Sequence, residues 1–144
     1  MVISPSFTYT HTVVADVSAE AVWSLYKDVG TWPLWDAQAE WATRDGRFAA
    51  GTTGAMKFKG QEPLRYRLAS VEPGREFVDE TPVGELLVRV SHLLDPLGPG
   101  RLRITYAAEI EGPEEQAKEI GAAITGDFPD TIASLVALAK ERSR

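Results

Sequence analysis

The chain has 144 residues, no cysteine and a formal net charge of −6, which fits a single domain, residues 1–144, built on one hydrophobic core. The lack of cysteine excludes disulfides, thiolate nucleophiles and zinc sites built on sulfur, and the acidic balance argues against nucleic acid as a partner. No apolar run approaches the ~20 residues of a membrane span, and the N-terminus lacks the pattern of a signal peptide. We therefore expect a cytoplasmic protein.

The first forty residues predict one strand and two short helices. The segment Phe7–Ala15 alternates aromatic or apolar residues with threonine, which is the period of a half-buried strand. Ser18 is placed to cap a short amphipathic helix that ends near Gly30. Residues 31–36 carry two tryptophans around Pro33, a spacing typical of a single helical turn.

Six further strands are predicted between clear turn signals. They cover residues 41–48, 53–59, 63–71, 75–81, 85–94 and 101–111, and glycine or proline follows each of them. Short turns between successive strands indicate an antiparallel meander, and the N-terminal strand brings the total to seven. The register of the fifth strand stays open, because either Phe77 with Asp79 or Val78 with Glu80 could face the interior.

Residues 113–144 predict one long amphipathic helix. One side of this helix carries Ile120, Ile124, Phe128, Ile132, Leu135, Val136 and Ala139. Gly126 and Pro129 interrupt the pattern, so we expect a bend near Asp127. An α+β fold in which a bent sheet is covered by this helix would bury every apolar face, and the space left between them would form a cavity.

Two N-terminal motifs resemble a known family. Ser-Ala-Glu-Ala-Val-Trp at residues 18–23 and Asp-Val-Gly-Thr-Trp-Pro-Leu-Trp-Asp at residues 28–36 are similar to the signature of START-like (SRPBCC) proteins of the polyketide cyclase/dehydrase and lipid-transport group. Residues 70–78, residues 92–101 and the terminal helix follow the same layout. The resemblance implies a helix-grip fold, in which a bent seven-stranded antiparallel sheet wraps around a long kinked C-terminal helix, with two short helices after the first strand.

His92 and Tyr106 are the candidate catalytic residues. Alternation places both on the cavity side of their strands, where a histidine can move a proton near neutral pH and a tyrosine hydroxyl can polarise a carbonyl. The predicted ligand-binding residues are Trp35, Tyr66, Val88, Val90, His92, Ile104, Tyr106, Ile124 and Phe128. Phe128, beside the bend, is expected to guard an entrance. No metal or organic cofactor is predicted, because the two histidines do not have the spacing of metal ligands.

Three functional hypotheses follow. The favoured one is a carrier or sensor, monomeric or homodimeric, that binds a small hydrophobic or aromatic molecule in the cavity. The second is a cofactor-independent enzyme of the polyketide cyclase/aromatase type, as the resemblance implies, in which His92 transfers a proton. The third is a partner-binding regulatory module, which requires a filled interior and a large exposed apolar patch.

Overall fold

Seven strands form one antiparallel sheet in this computed structural model, which describes residues 5–143. The strands are β1 (Phe7–Ala15), β2 (Ala39–Arg44), β3 (Thr53–Phe58), β4 (Leu64–Glu72), β5 (Glu76–Val83), β6 (Leu86–Gly98) and β7 (Arg101–Glu111). Their spatial order is β1-β7-β6-β5-β4-β3-β2, so β2 to β7 form a meander and β1 is added beside β7. The predicted seven-stranded sheet is confirmed.

The helices lie in two groups, one after β1 and one at the C-terminus. They are α1 (Ala19–Lys27), a 3-10 turn (Val29–Thr31), α2 (Trp32–Trp35), α3 (Glu114–Thr125) and α4 (Phe128–Arg142). Ser18 caps α1 as predicted, because its hydroxyl oxygen accepts a hydrogen bond of 3.1 Å from the Ala21 amide. α4 packs against α1 and α2, and α3 lies over β1 and β7. Among residues 5–143, no helix is long and apolar enough to cross a membrane.

The C-terminal helix bends where the sequence predicts it. α3 ends at Thr125 and α4 begins at Phe128, on either side of Asp127. Pro129 lies in the first turn of α4, where its missing N–H leaves no intrahelical hydrogen bond unmade. The bend directs α3 over the β1 edge of the sheet and α4 toward α1, so the two halves of the helix close different parts of the sheet.

Two strand boundaries differ from the prediction by more than two residues. The second strand ends at Arg44 rather than at residue 48, because the chain turns between residues 45 and 52, where the Thr52 amide donates to the Ala49 carbonyl. Phe48 then reaches the aromatic core from a loop. The sixth strand continues past residue 94 to Gly98, although it contains Pro96. β5 pairs with β6 only as far as Leu93, so the proline lies beyond the paired region of β5, where it removes no hydrogen bond to that strand.

The register of the sheet settles which side of β5 faces the interior. Phe77 lies opposite His92, Asp79 opposite Val90 and Thr81 opposite Val88. His92 in turn lies opposite Tyr106 of β7. These side chains share the concave face of the sheet, whereas Glu80 projects from the other face. Of the two registers that the sequence left open, the structure has the one with Phe77 and Asp79 inside.

Candidate functional site

A cavity of about 280 Å³ lies between the concave face of the sheet and the C-terminal helices. β5 and β6 form one wall, α2 and β3 another, and the bend between α3 and α4 covers them. Most of the wall is apolar or aromatic, with Trp32, Trp35 and Phe77 among the largest side chains. Such a concave, mainly apolar space with a few polar groups is the usual form of a small-molecule site.

Seven of the nine predicted ligand-binding residues lie on this cavity. They are Trp35, Val88, Val90, His92, Tyr106, Ile124 and Phe128. Tyr66 and Ile104 are buried but lie outside the lining. The Tyr66 hydroxyl donates a hydrogen bond of 2.6 Å to the Thr43 carbonyl and so joins β4 to β2. Ile104, two residues before Tyr106, packs in the closed part of the core and has no exposed surface.

The mouth of the cavity is marked by its exposed lining residues, which are Gln38, Lys59, Gln61 and Ala123. They place the opening between the β3–β4 connection and α3. Phe128, which the sequence suggested as a gate, is only 7% exposed and lies inside, with its ring centroid 5.3 Å from that of Tyr106. In this geometry Phe128 is part of the cavity wall rather than of the rim.

Asp36 brings a carboxyl group to the α2 side of the cavity. It is half-buried and accepts a hydrogen bond of 3.0 Å from the Gln38 amide. Burial, with a smaller contribution from Asp127, raises the pKa of Asp36 above its ordinary value. Because this carboxylate holds the backbone turn after α2, it acts first as a structural group.

His92 is held tightly between aromatic rings. Its imidazole stacks on the Phe77 ring at a centroid distance of 3.9 Å and meets the edge of Tyr106 at 4.7 Å. Its Nδ1 lies 3.3 Å from the Phe77 carbonyl and 3.8 Å from Asp79 Oδ2. Burial lowers the pKa of His92 from 6.5 to about 3. The imidazole is therefore neutral at neutral pH.

Asp79 is the buried carboxyl group of the cavity. Its side chain is only 13% exposed, and no described residue forms a hydrogen bond with it. Burial, with a smaller contribution from the charge of Glu80, raises the pKa of Asp79 from 3.8 to about 7. Between about pH 3 and pH 7, the carboxyl of Asp79 is therefore protonated and the imidazole of His92 is neutral.

Two tyrosine hydroxyls meet beside this pair. Tyr26 of α1 donates to the hydroxyl of Tyr106 at 3.5 Å, and both side chains are almost completely buried. Burial raises the pKa of both phenols well above 10, so Tyr106 keeps its proton and can donate a hydrogen bond. Together Asp79, His92 and Tyr106 form a neutral group that can donate and accept hydrogen bonds inside an apolar wall.

The structure adds polar residues that sequence reasoning had not assigned to the site. Asp79 was one of two possibilities on β5, and Thr81 was not considered at all. The clue for both was the alternation of β5, in which Phe77, Asp79, Thr81 and Val83 share a face. Among residues 5–143, no three His, Cys, Asp or Glu side chains come together as ligands for a metal ion.

Solved structures of other proteins share this fold. A point mutant of norcoclaurine synthase from Thalictrum flavum, solved with a transition-state analogue, aligns with a TM-score of 0.76 at 18% identity, covering 96% of each chain. The ZhuI aromatase/cyclase from a Streptomyces species aligns at 0.79 and 13% identity, again over 96% of each chain. A hypothetical protein from Helicobacter pylori aligns at 0.79 and 15% identity over 94% of this chain and 89% of that one.

These likenesses concern the fold, since all three identities are low. No curated protein sequence gives a significant match. The family profile described as polyketide cyclase / dehydrase and lipid transport, however, matches residues 6–140, which is nearly the whole chain. The chain therefore belongs to the polyketide cyclase / dehydrase and lipid transport family.

Proposed function

We propose that this protein binds a small, largely apolar or aromatic molecule in the cavity between the sheet and the bent C-terminal helix. The observation that carries the proposal is the cavity of about 280 Å³ with its mainly apolar wall and a few polar groups. Its volume lies just below the ~300–1,000 Å³ typical of ligand sites. A ligand of one or two rings suits it better than a long chain.

Aromatic side chains form the large flat parts of the cavity wall. Trp32 and Phe77 stack with an interplanar angle of 20°, and Trp35 lies edge-on to Trp32. Flat walls of this kind favour a planar ligand, because burial contributes about 25 cal/mol per Å² of apolar surface and aromatic contacts add to it. A norcoclaurine synthase of the same fold, 17% identical, was solved in complex with dopamine and hydroxybenzaldehyde, which supports a small aromatic ligand by analogy.

Native mass spectrometry of freshly purified protein tests whether a molecule is carried, since a ligand would be released on denaturation. A second test titrates 2-methylnaphthalene and follows tryptophan fluorescence. Val90→Phe places a larger side chain in the cavity and should abolish binding. The matched change Leu87→Phe, on the opposite face of β6, should not. Equal affinity in the two variants would refute binding in this cavity.

A second candidate function is cofactor-independent catalysis of a carbonyl reaction of the cyclase type. It is favoured by the carboxyl group of Asp79, whose pKa of about 7 suits proton transfer at neutral pH. In this scheme Asp79 exchanges a proton with the carbon next to a carbonyl, and Tyr106 donates a hydrogen bond to the enolate oxygen. His92, the residue proposed from the sequence, would take part as the neutral neighbour of Asp79.

Deuterium washout from the methyl group of acetophenone, followed by NMR, tests the catalytic candidate. Asp79→Asn and His92→Gln should slow washout while the affinity for acetophenone is retained. If the wild-type protein gives no faster deuterium washout than buffer alone, the carrier or sensor role is favoured. The third hypothesis, a partner-binding module, gains no support, because the interior is open and the exposed large apolar side chains of residues 5–143 are spread over β1, α2, β2 and β6. A monomeric or homodimeric state and a cytoplasmic location remain predictions.

A further inference from the structure

Thr81 carries a buried hydroxyl with no partner. The residue lies on the cavity wall and is 3% exposed, and its Oγ1 has no hydrogen bond to any residue within 5–143. Val88 lies directly opposite on β6 and offers no polar group. An unpaired buried hydroxyl destabilises a fold, and valine would fill the same space without that penalty. Rotation about χ1 moves the threonine hydroxyl between three staggered positions, so the hydroxyl can turn toward a polar atom in the cavity.

Asp79 lies two residues earlier on the same face of β5. Its carboxyl group also lacks a hydrogen bond within the described chain, and His92 Nδ1, at 3.8 Å from its Oδ2, is beyond hydrogen-bond distance. By contrast, Glu80 on the outer face of the strand is bonded to Arg89 at 2.6 Å and to Arg67 at 3.2 Å. Glu80 on the outer face is therefore bonded to other side chains, whereas Asp79 and Thr81 on the inner face are not.

We propose that Asp79 and Thr81 form a polar subsite, here called the β5 subsite, which takes a hydroxyl group of a neutral aromatic ligand. The proposal rests on the proposed function, since it specifies the chemistry of the molecule held in the same cavity. Residues two apart on a strand are separated by about 7 Å, so one oxygen placed between their side chains can come within hydrogen-bond distance of both.

The chemistry of the two side chains selects a hydroxyl. A protonated carboxyl and a threonine hydroxyl each donate and accept a hydrogen bond, as a phenol or alcohol also does. An anionic ligand would meet the carboxyl of Asp79 among apolar side chains and the neutral imidazole of His92, and the positively charged Lys59 of the lining lies at the exposed mouth of the cavity. A cationic ligand would have to ionise Asp79, which burial keeps protonated below neutral pH.

The test uses three probes of nearly equal size at pH 6, namely 2-naphthol, 2-methylnaphthalene and the cation of 2-(aminomethyl)naphthalene. Wild type should bind 2-naphthol about threefold to tenfold more tightly than 2-methylnaphthalene, which is the range expected for one or two net hydrogen bonds. Thr81→Val should reduce this preference at least threefold without weakening 2-methylnaphthalene, and Thr81→Ser should retain it. Thr105→Val, which alters a threonine bonded to Thr12 on the outer face, is the matched control.

The outcomes distinguish a failure of the proposed function from a failure of the β5 subsite alone. If wild type binds neither 2-naphthol nor 2-methylnaphthalene, the proposed function fails and the β5 subsite fails with it. If both bind with equal affinity, or if Thr81→Val keeps the full preference for 2-naphthol, the cavity stands as a ligand site but the β5 subsite is refuted. Tighter binding of the cation than of 2-naphthol would also refute it, in favour of an ionised Asp79. Urea unfolding of each variant shows that any loss is not a loss of fold.

Discussion

Replacing Asp79 with asparagine is expected to stabilise the protein at and above neutral pH and to leave it unchanged in acid. Burial raises the pKa of Asp79 from 3.8 to about 7. The unfolded chain therefore loses this proton at a lower pH than the folded chain, so the contribution of Asp79 to the free energy of unfolding falls as the pH rises from about 4 to about 7. Asparagine has the shape of the protonated carboxyl but cannot ionise, so the variant does not lose this part of its stability as the pH rises.

The size of the shift sets the size of the effect. At 1.36 kcal/mol per pKa unit, a rise from 3.8 to about 7 destabilises the folded wild type by about 4 kcal/mol above pH 7. The unfolding free energy of Asp79→Asn minus that of wild type should therefore climb from near zero at pH 4 to about 4 kcal/mol at pH 8. The lowered pKa of His92 also makes stability depend on pH, but this contribution is present in both proteins and cancels in the difference.

Urea unfolding followed by tryptophan fluorescence at pH 4, 6 and 8 measures this difference. Asp95→Asn is the matched control, because Asp95 forms an exposed ion pair of 2.8 Å with Arg103, and its loss should change stability by at most about 1 kcal/mol. A wild type that is more stable than Asp79→Asn at pH 8 would refute the reasoning, since Asp79 would then be ionised and paired with His92. A difference that does not vary with pH would contradict the raised pKa.

Substitutions at three positions test the packing around the cavity. Gly121→Ala places a methyl carbon 2.4 Å from the Phe7 ring, so its urea midpoint should drop by the equivalent of about 1–3 kcal/mol; an unchanged midpoint would contradict the close packing of α3 on β1. Tyr66→Phe loses the hydrogen bond to Thr43 and should be about 1 kcal/mol less stable, with an unchanged affinity for 2-methylnaphthalene in fluorescence titration. Thr81→Val should raise the free energy of unfolding by about 1 kcal/mol, whereas Thr81→Ser should not, because only valine removes the unpaired hydroxyl.

The order of the elements was predictable because its signals are local. Gly60 and Gly74 have φ angles of +75° and +78°, which only glycine adopts readily, and they lie in the turns that the sequence marks. Pro129 likewise predicts the bend of the C-terminal helix. The end of β2 was not predictable in this way, because Phe48 continues the apolar pattern although it reaches the rings of Trp23 and Phe77 from a loop.

The apolar wall of the cavity was predicted in outline, but its polar centre was not. Alternation identifies Val88, Val90 and His92 from β6 alone. On β5 both faces contain an apolar residue next to an acidic one, so the choice between Asp79 and Glu80 depends on which face meets the arginines of neighbouring strands. The isolation of the Thr81 hydroxyl depends on the residue opposite it on another strand, which no local pattern contains.

The two faces of β5 illustrate where function is to be sought in this fold. On the outer face, Glu80 is bonded to two arginines and contributes to the sheet. On the inner face, two residues lower the stability of the ligand-free protein. Asp79 does so through its raised pKa, and Thr81 through its unpaired hydroxyl. Both penalties would shrink if a hydroxyl group occupied the cavity between them. Substitutions of Asp79 or Thr81 that stabilise the ligand-free protein should therefore weaken the binding of a hydroxylated ligand and leave that of a ligand without a hydroxyl unchanged.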